Sequence, residues 1–230
     1  MRTVEAGGVA FAVREWGEAG SPSLLFWHGA GDGSREFEQP GRVFADEYGL
    51  YVVAPDAPGH GATPALPPGE YLPSRLASLA AALLDALAIE TTTFAGFSWG
   101  GSIGCWFAAA FAERTRALVL IEGGHLDFRD VPGFEPPASL DAAVDADGLD
   151  GALQWGSLQE PATDTYPALA AGGVPVLLVT GGFPGLPFDP AARLREQVPQ
   201  AEVRTVEAAT HDLLAHDPRN LARVVGDWLV

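Results

Sequence analysis

The sequence predicts an α/β fold in which a mainly parallel sheet carries helices on both faces. Five short apolar runs are continuous rather than alternating, which is typical of strands buried on both faces. Between them, apolar residues recur every three or four positions, as on the buried side of a helix. Strands that alternate with helices in this way pair in parallel, because each helix carries the chain back across the sheet.

The start of the chain predicts an antiparallel entry into this sheet. Residues 9–16, VAFAVREW, alternate between apolar and polar, and the Gly7-Gly8 pair can turn the chain back on residues 2–6. A run near the end, EVRTVEA at 202–208, is a further predicted strand. The five continuous runs are SLLFWH at 23–28, LYVVAP at 50–55, TTFAGF at 92–97, ALVLI at 117–121 and VPVLLVT at 174–180.

Helices are predicted at 73–87, over SIGCWFAAAFAER after Ser98, at 189–198 and at 217–229. Pro73 suits a first helical turn, and Asp217 is placed to cap the last helix. Two stretches break the pattern: a Pro/Gly-rich loop at 57–72 and an acidic insertion at about 125–165. The insertion is too long for a simple connection, so we expect a single domain over 1–230 with a short lid.

Composition excludes several classes of function. Thirty acidic residues against 13 arginines and no lysine give a net charge of -17, which repels nucleic acid and anionic lipid. The single cysteine, Cys105, excludes an internal disulfide and a multi-thiolate metal site. No apolar run approaches the roughly 20 residues that span a bilayer, and the start lacks signal-peptide features. We expect a cytoplasmic protein that acts on a small molecule without membrane or nucleic acid, and its oligomeric state stays open.

The stretch GFSWGG at 96–101 directly follows the predicted strand TTFAGF. It has the Gly-x-Ser-x-Gly spacing of a nucleophile elbow, in which glycines let a strand turn sharply into a helix and leave the Ser98 hydroxyl exposed. The alternative is a glycine-rich turn without chemistry. Two other strand ends agree with the first interpretation: HGAGDG at 28–33 can point backbone N–H groups into a cavity, and His211 lies just ahead of the last helices.

With these segments in order, the chain resembles the α/β-hydrolase fold family over nearly its whole length. His28-Gly29 is similar to that family's oxyanion loop, and DAPGHGAT at 56–63 resembles its Asp-x-x-Gly-x-Gly-x-Ser/Thr segment. The resemblance implies that Ser98 is the nucleophile and His211 the base. It also implies that the backbone N–H groups of Ala30 and Trp99 form the oxyanion hole.

The third member of a catalytic triad departs from the usual family pattern. Many members carry an Asp in the turn after the strand assigned to VPVLLVT, but Pro184 occupies that position here. Asp189 lies further on, where it is expected to cap a helix. Glu122 ends the neighbouring strand, about 4.8 Å away, and some family branches take their acid from there. We therefore expect Glu122 to be the acid, with Asp189, or no working acid, as alternatives.

The leading hypothesis is a serine hydrolase that cleaves a small ester through Ser98, His211 and Glu122 by way of an acyl-enzyme. Alternatives are a ligand-binding, receptor-like homologue without turnover and a prolyl-aminopeptidase-like hydrolase. No histidine has a second histidine at i+4 and no Gly-x-Gly-x-x-Gly opens a helix, so no metal or other cofactor is expected. The insertion is expected to line the substrate pocket with Leu126, Phe128, Phe134 and Trp155.

Overall fold

The computed structural model of the chain describes residues 1–181, 187–206, 211 and 213–230. Within these residues, eight strands form one sheet in the order β1-β2-β4-β3-β5-β6-β7-β8. The β1/β2 and β2/β4 pairs are antiparallel and every other pair is parallel, which confirms the predicted α/β class and the antiparallel entry. The strands are β1 (Arg2–Ala6), β2 (Val9–Trp16), β3 (Ser23–Trp27), β4 (Tyr51–Pro55), β5 (Thr92–Phe97), β6 (Thr115–Ile121), β7 (Val176–Thr180) and β8 (Ala201–Thr205).

Helices connect the strands and cover the sheet. In the described part of the chain they are α1 (Glu38–Tyr48), α2 (Pro73–Ala86), α3 (Trp99–Ala110), α4 (Leu140–Gln159), α5 (Tyr166–Gly172), α6 (Pro190–Gln197), α7 (Leu213–His216) and α8 (Pro218–Leu229). Short 3-10 turns lie at Ser34–Phe37, Pro68–Glu70, Ala112–Arg114, Phe128–Asp130 and Ala162–Thr165. The predicted cap of the last helix is confirmed, since Asp217 accepts a hydrogen bond of 3.0 Å from the Asn220 N–H.

Each face of the sheet has its own apolar core. In β3, Leu24 and Phe26 pack into the core that includes α1 and α8. Leu25 and Trp27 point to the opposite core, which includes α2 and α3. Successive strand residues point to opposite faces, so a strand between two helix layers must be apolar throughout. This is the physical reason for the continuous apolar runs.

Four helices were not predicted, namely α1, α4, α5 and α7, and the first two contain residues that disfavour helix. Helix α1 contains Pro40 and Gly41, but packing decides its structure: a Cβ added at Gly41 would lie 2.6 Å from the Trp16 ring. Helix α4 lies within the acidic insertion and is interrupted at Asp147 and Gly148, where the backbone leaves helical geometry. The interruption hides the helical period in the sequence.

The ends of several elements differ from the prediction. Helix α3 begins at Trp99, directly after the serine, and β3 ends at Trp27, which leaves His28 in the following loop. Strand β8 ends at Thr205, whereas positions 207 and 208 of the predicted strand lie outside the described residues. No helix in the described part of the chain is long and apolar enough to cross a membrane.

Candidate active site

Ser98 occupies a strained position at the sharp turn between β5 and α3. Its backbone has φ 50° and ψ -116°, a conformation that L residues rarely adopt. The flanking glycines are required by space: a Cβ at Gly96 would lie 2.2 Å from the Gly100 carbonyl oxygen, and one at Gly100 would lie 2.2 Å from that of Trp27. The Ser98 N–H also donates to the Ile121 carbonyl at 2.9 Å, which fixes the turn to the end of β6. This is the geometry expected of a nucleophile elbow.

His211 lies within hydrogen-bond distance of the serine. Its Nε2 is 2.9 Å from the Ser98 Oγ, although 113 residues separate the two in sequence. The imidazole also packs against the Phe97 ring with centroids 5.5 Å apart, and half of the side chain is exposed. A neutral imidazole at this distance can accept the serine proton, which is the first requirement of a general base.

Glu122 directly follows β6, and its carboxylate is buried beside the histidine. Oε1 accepts a hydrogen bond from the Gly181 N–H at the end of β7, and Oε2 lies 3.8 Å from the His211 Nδ1. That separation is longer than a hydrogen bond, and Oε2 is buried without a hydrogen-bond partner among the described residues. The backbone at Glu122 has φ 47°, so this residue is strained as Ser98 is. The structure thus brings all three predicted triad residues together at one edge of the sheet.

The alternative acid, Asp189, is engaged elsewhere. Its Oδ1 accepts from the Ala191 N–H at 2.9 Å and its Oδ2 lies 2.5 Å from the Arg195 Nη1, so the expected helix cap is confirmed. Pro184, which replaces the usual family Asp, lies outside the described residues. The bonding of Asp189 therefore favours Glu122 as the group that faces the imidazole.

The loop that follows β3 is held rigidly from both sides. The His28 Nε2 accepts a hydrogen bond of 2.8 Å from the Ala57 N–H, and its Nδ1 lies 2.7 Å from the Gly29 carbonyl. The Ala57 bond requires an unprotonated Nε2, so Nδ1 carries the proton and donates to Gly29. Burial lowers the pKa of His28 to about 4, so the ring is neutral at physiological pH.

Asp56 ties the same loop to the glycine-rich segment after β4. Its Oδ1 accepts from the Ser34 N–H at 2.8 Å and its Oδ2 from the Ala62 N–H at 3.1 Å. Burial alone would raise the pKa of Asp56, but these hydrogen bonds outweigh it and leave the pKa below its ordinary value. The carboxylate therefore remains charged and braces the residues around Ala30.

The two predicted oxyanion donors lie beside the serine. Ala30 and Trp99 both line the same cavity as Ser98. The Trp99 N–H belongs to the first turn of α3, where backbone donors lack intrahelical acceptors. Within the described residues, no acceptor is bonded to the Ala30 N–H. Both donors are thus available to an oxygen on a substrate.

The cavity at the serine has a volume of about 420 Å³, which suits a small organic molecule. Leu126 and Phe128 line it as predicted, but Phe134 and Trp155 do not. Phe134 instead packs against the Phe128 ring, with ring centroids 5.8 Å apart. The lining residues are Ala30, Ser98, Trp99, Ser102, Glu122, Gly123, Gly124, Leu126, Asp127, Phe128, Asp150, Leu153, Gln154, Ser157, Pro161, Ala162 and His211.

Helix α4 supplies cavity residues that the sequence analysis missed. Asp150, Leu153, Gln154 and Ser157 have the i, i+3, i+4, i+7 spacing of one helical face, and Trp155 falls off that face. The signal was present in the sequence, but the break at 147–148 obscured the start of this face. Ser102, four residues after the nucleophile on α3, was also missed and follows from the same spacing rule.

A group of ion pairs fixes the start of the insertion below the cavity. The buried Asp127 carboxylate accepts hydrogen bonds from the Arg129 side chain at 2.6 to 3.1 Å and from the Thr163 hydroxyl at 2.9 Å. Burial alone would raise the pKa of Asp127, but Arg129 and Thr163 hold it below its usual value. Arg129 is thus committed to Asp127, and no ion pair joins it to Glu122 in the described part of the chain. Among the same residues, no group of three or more His, Cys, Asp or Glu side chains could hold a metal ion.

Comparisons with known proteins identify relatives of this chain. Over 118 residues the chain is 36% identical to 3-oxoadipate enol-lactonase 2 from Acinetobacter baylyi, a match covering 51% of this chain and 43% of the relative. It is 32% identical over 134 residues to 2-hydroxymuconate semialdehyde hydrolase from Pseudomonas putida, covering 58% of this chain and 47% of that protein. The matches thus span less than half the length of these curated relatives.

A solved structure extends the likeness to the whole chain. A thermophilic esterase from Thermogutta terrifontis superposes with a TM-score of 0.77 at 19% identity, covering 99% of this chain and 97% of the esterase, which shows a shared fold. The family model described as the alpha/beta hydrolase fold matches residues 22–159, more than half of the sequence. The chain therefore belongs to the alpha/beta hydrolase fold family.

Proposed function

We propose that the protein is a serine hydrolase that cleaves a small ester through a Ser98–His211–Glu122 triad and an acyl-enzyme. The observation that carries the proposal is the 2.9 Å approach of the His211 Nε2 to the Oγ of a strained, cavity-lining serine. Strain of this kind persists only where the surrounding structure enforces it, and it is concentrated at active sites. The 36% identical relative is named as a lactonase, which supports ester chemistry for the related part of this chain.

In the proposed reaction, His211 takes the Ser98 proton while Oγ attacks the ester carbonyl. The new oxyanion accepts hydrogen bonds from the Ala30 and Trp99 N–H groups. The tetrahedral intermediate then collapses, and the alcohol leaves with the proton held by His211, so that Ser98 is acylated. His211 then takes a proton from a water molecule, which attacks the acyl carbon. The ester bond to Ser98 breaks, the acid leaves, and His211 returns the proton to the Ser98 Oγ.

Glu122 would act on this cycle through the histidine. When His211 becomes an imidazolium, its Nδ1–H faces a buried carboxylate oxygen that makes no other hydrogen bond to a described residue. The separation of 3.8 Å is long for the resting state, and such contacts tighten once charge develops. The carboxylate would then fix the tautomer and stabilise the cation, as the acid of a triad does.

The insertion would serve as a lid over this chemistry. Residues 126–128 at its start and the 150/153/154/157 face of α4 line the cavity together with the nucleophile turn. Gly156 lets this part of α4 lie close to the body of the protein, because a Cβ there would lie 2.2 Å from the Tyr71 carbonyl oxygen. A wall held so closely favours small substrates.

A fluorophosphonate probe tests the proposal directly. We expect the probe to label wild-type protein at Ser98 and to leave Ser98→Ala unlabelled, because only an activated serine attacks the phosphorus. Ser102→Ala is a matched control, since this second cavity serine lies one helical turn away and should not affect labelling. Correctly folded protein that resists labelling would favour a receptor-like protein without turnover.

p-Nitrophenyl esters of increasing acyl length then test the substrate range. A cavity of about 420 Å³ should favour short and medium chains, with kcat/KM falling once the acyl group exceeds the space. A flat profile up to long chains would contradict the role of the insertion as a fixed wall. Hydrolysis of prolyl amides in preference to esters would indicate the aminopeptidase alternative.

A further inference from the structure

The cavity beside Ser98 has an acidic lining. It contains three carboxylates, Glu122, Asp127 and Asp150, and its only basic side chain among the described residues is His211. The residues that the structure does not describe cannot add a lysine or arginine, because positions 182–186, 207–210 and 212 read GFPGL, EAAT and Asp, and the chain has no lysine. A substrate carboxylate would therefore meet no guanidinium or ammonium group in this cavity.

The two arginines that pair with the cavity residue Asp127 are already neutralised. Arg129 lies 2.6 Å from Asp127 and 3.4 Å from Asp164. Arg193 lies 2.5 Å from the Asp130 carboxylate and 3.6 Å from Asp127. Three carboxylates thus surround two guanidinium groups, which leaves this group of side chains with a net negative charge. Recruiting either arginine for a substrate anion would break these pairs and leave Asp127 buried without its partner.

Asp150 differs from the other two carboxylates because it is exposed and neither of its oxygens is bonded to a described residue. Glu122 is bonded to Gly181 and Asp127 to Arg129, whereas Asp150 has no ion pair or hydrogen bond with any residue that the structure describes. It lies on the face of α4 that lines the cavity, one turn from Gln154 and two turns from Ser157. This face therefore offers a carboxylate, an amide and a hydroxyl to the substrate, and the carboxylate is the group suited to a cation.

Resting on the proposed function, we propose that the hydrolase selects esters that carry a positively charged amine away from the scissile carbonyl, and that Asp150 contacts this cation. The cavity lining would favour cationic esters and disfavour anionic ones. The unpaired carboxylate attracts a cation, and no free cationic side chain lines the described cavity to pair with an anion. Phe128, which is 44% exposed and also lines the cavity, adds an aromatic surface that suits a quaternary ammonium group.

Matched esters measure this selection. Butyrylcholine and 3,3-dimethylbutyl butyrate have the same shape and differ only in a quaternary nitrogen or carbon, while the butyrate ester of 3-hydroxypropanoate carries a negative charge. A second pair places the charge on the acyl side: the p-nitrophenyl esters of 4-(trimethylammonio)butyrate and 5,5-dimethylhexanoate. In at least one pair, we expect kcat/KM for the cation to exceed that of its neutral isostere about tenfold, and the anion to be the poorest substrate.

The variants separate a local contact from the overall negative charge. Asp150→Asn should reduce the ratio of cationic to neutral kcat/KM to near one. Asp145→Asn removes the same charge from an exposed position of the same helix that does not line the cavity, and it should leave the ratio unchanged. Equal loss in both variants would assign the preference to the net charge of -17 and overturn the role of Asp150. No cation preference in either pair would overturn the proposal as a whole.

Binding to Ser98→Ala distinguishes failure of this inference from failure of the proposed function. Calorimetric titration of this variant with the unreacted esters of both pairs should give the same preference in the same pair, and Asp150→Asn should abolish it. If the wild type cleaves no ester but this binding preference is found, the catalytic proposal fails and the cation site stands. If esters are cleaved and Ser98→Ala binds the charged and neutral esters equally in both pairs, the cation site fails alone.

Discussion

The burial of His28 predicts that the free energy of unfolding depends on pH. The folded state holds the pKa of this imidazole at about 4 because of burial, whereas in the unfolded chain it is about 6.5. Between these values the unfolded chain binds a proton that the folded protein does not. His28 therefore contributes stability that is complete above about pH 6.5 and is lost as the pH falls towards 4.

The magnitude follows from these two values. At pH 5, 1.5 below the unfolded pKa, the loss is about 2 kcal/mol, since each pH unit contributes about 1.4 kcal/mol. Urea unfolding should show that the wild type loses about 2 kcal/mol more stability between pH 7 and pH 5 than His28→Gln does. His216→Gln, which removes an exposed imidazole, is the control for the substitution. If wild type and His28→Gln lose equal stability over this range, His28 is protonated in the folded state and the assigned hydrogen bonds are wrong.

Three further predictions concern catalysis, packing and reactivity. Glu122→Gln should lower kcat by on the order of 10³ to 10⁴ while Asp189→Asn leaves it within about twofold, and the reverse result in ester hydrolysis would move the acid to Asp189. Gly156→Ala should lower the melting temperature by several degrees, because its Cβ would lie 2.2 Å from the Tyr71 carbonyl oxygen; an unchanged melting curve would show that α4 shifts freely. The Cys105 thiol is buried, which raises its pKa to about 12, so it should react with a disulfide reagent only in denaturant, and rapid native labelling would contradict its burial.

The fold could be predicted because strands that are buried on both faces appear in the sequence as continuous apolar runs. Strands between two helix layers must be apolar at every position, as Leu24, Leu25, Phe26 and Trp27 are. What could not be predicted were the elements whose structure depends on distant contacts. Helix α1 forms around a glycine that accommodates the Trp16 ring, and no local pattern reports such a contact.

The candidate site likewise has residues that could be predicted from the sequence and residues that could not. Ser98 and the donors beside it belong to short segments whose residue types are demanded by a strained turn, so the sequence identifies them. The pocket wall depends on how the insertion folds. Phe134 and Trp155 were expected there, but residues on the 150/153/154/157 face line the cavity instead. Aromatic character was a poor guide, because an aromatic residue in a small insertion packs equally well against its neighbours, as Phe134 does against Phe128.

The segment that follows β6 packs its backbone closely against the nucleophile turn, next to the proposed acid Glu122. A Cβ at Gly123 would lie 2.0 Å from the Ser98 carbonyl oxygen, and one at Gly124 would lie 2.9 Å from the Cys105 sulfur. The two glycines thus let the chain pass against the nucleophile turn at a distance that no other residue allows. Glu122 directly precedes this contact, and its backbone has the strained φ of 47°. The carboxylate at the end of β6 therefore lies directly beside the close packing that holds Ser98, which supports the proposal that both belong to one catalytic unit.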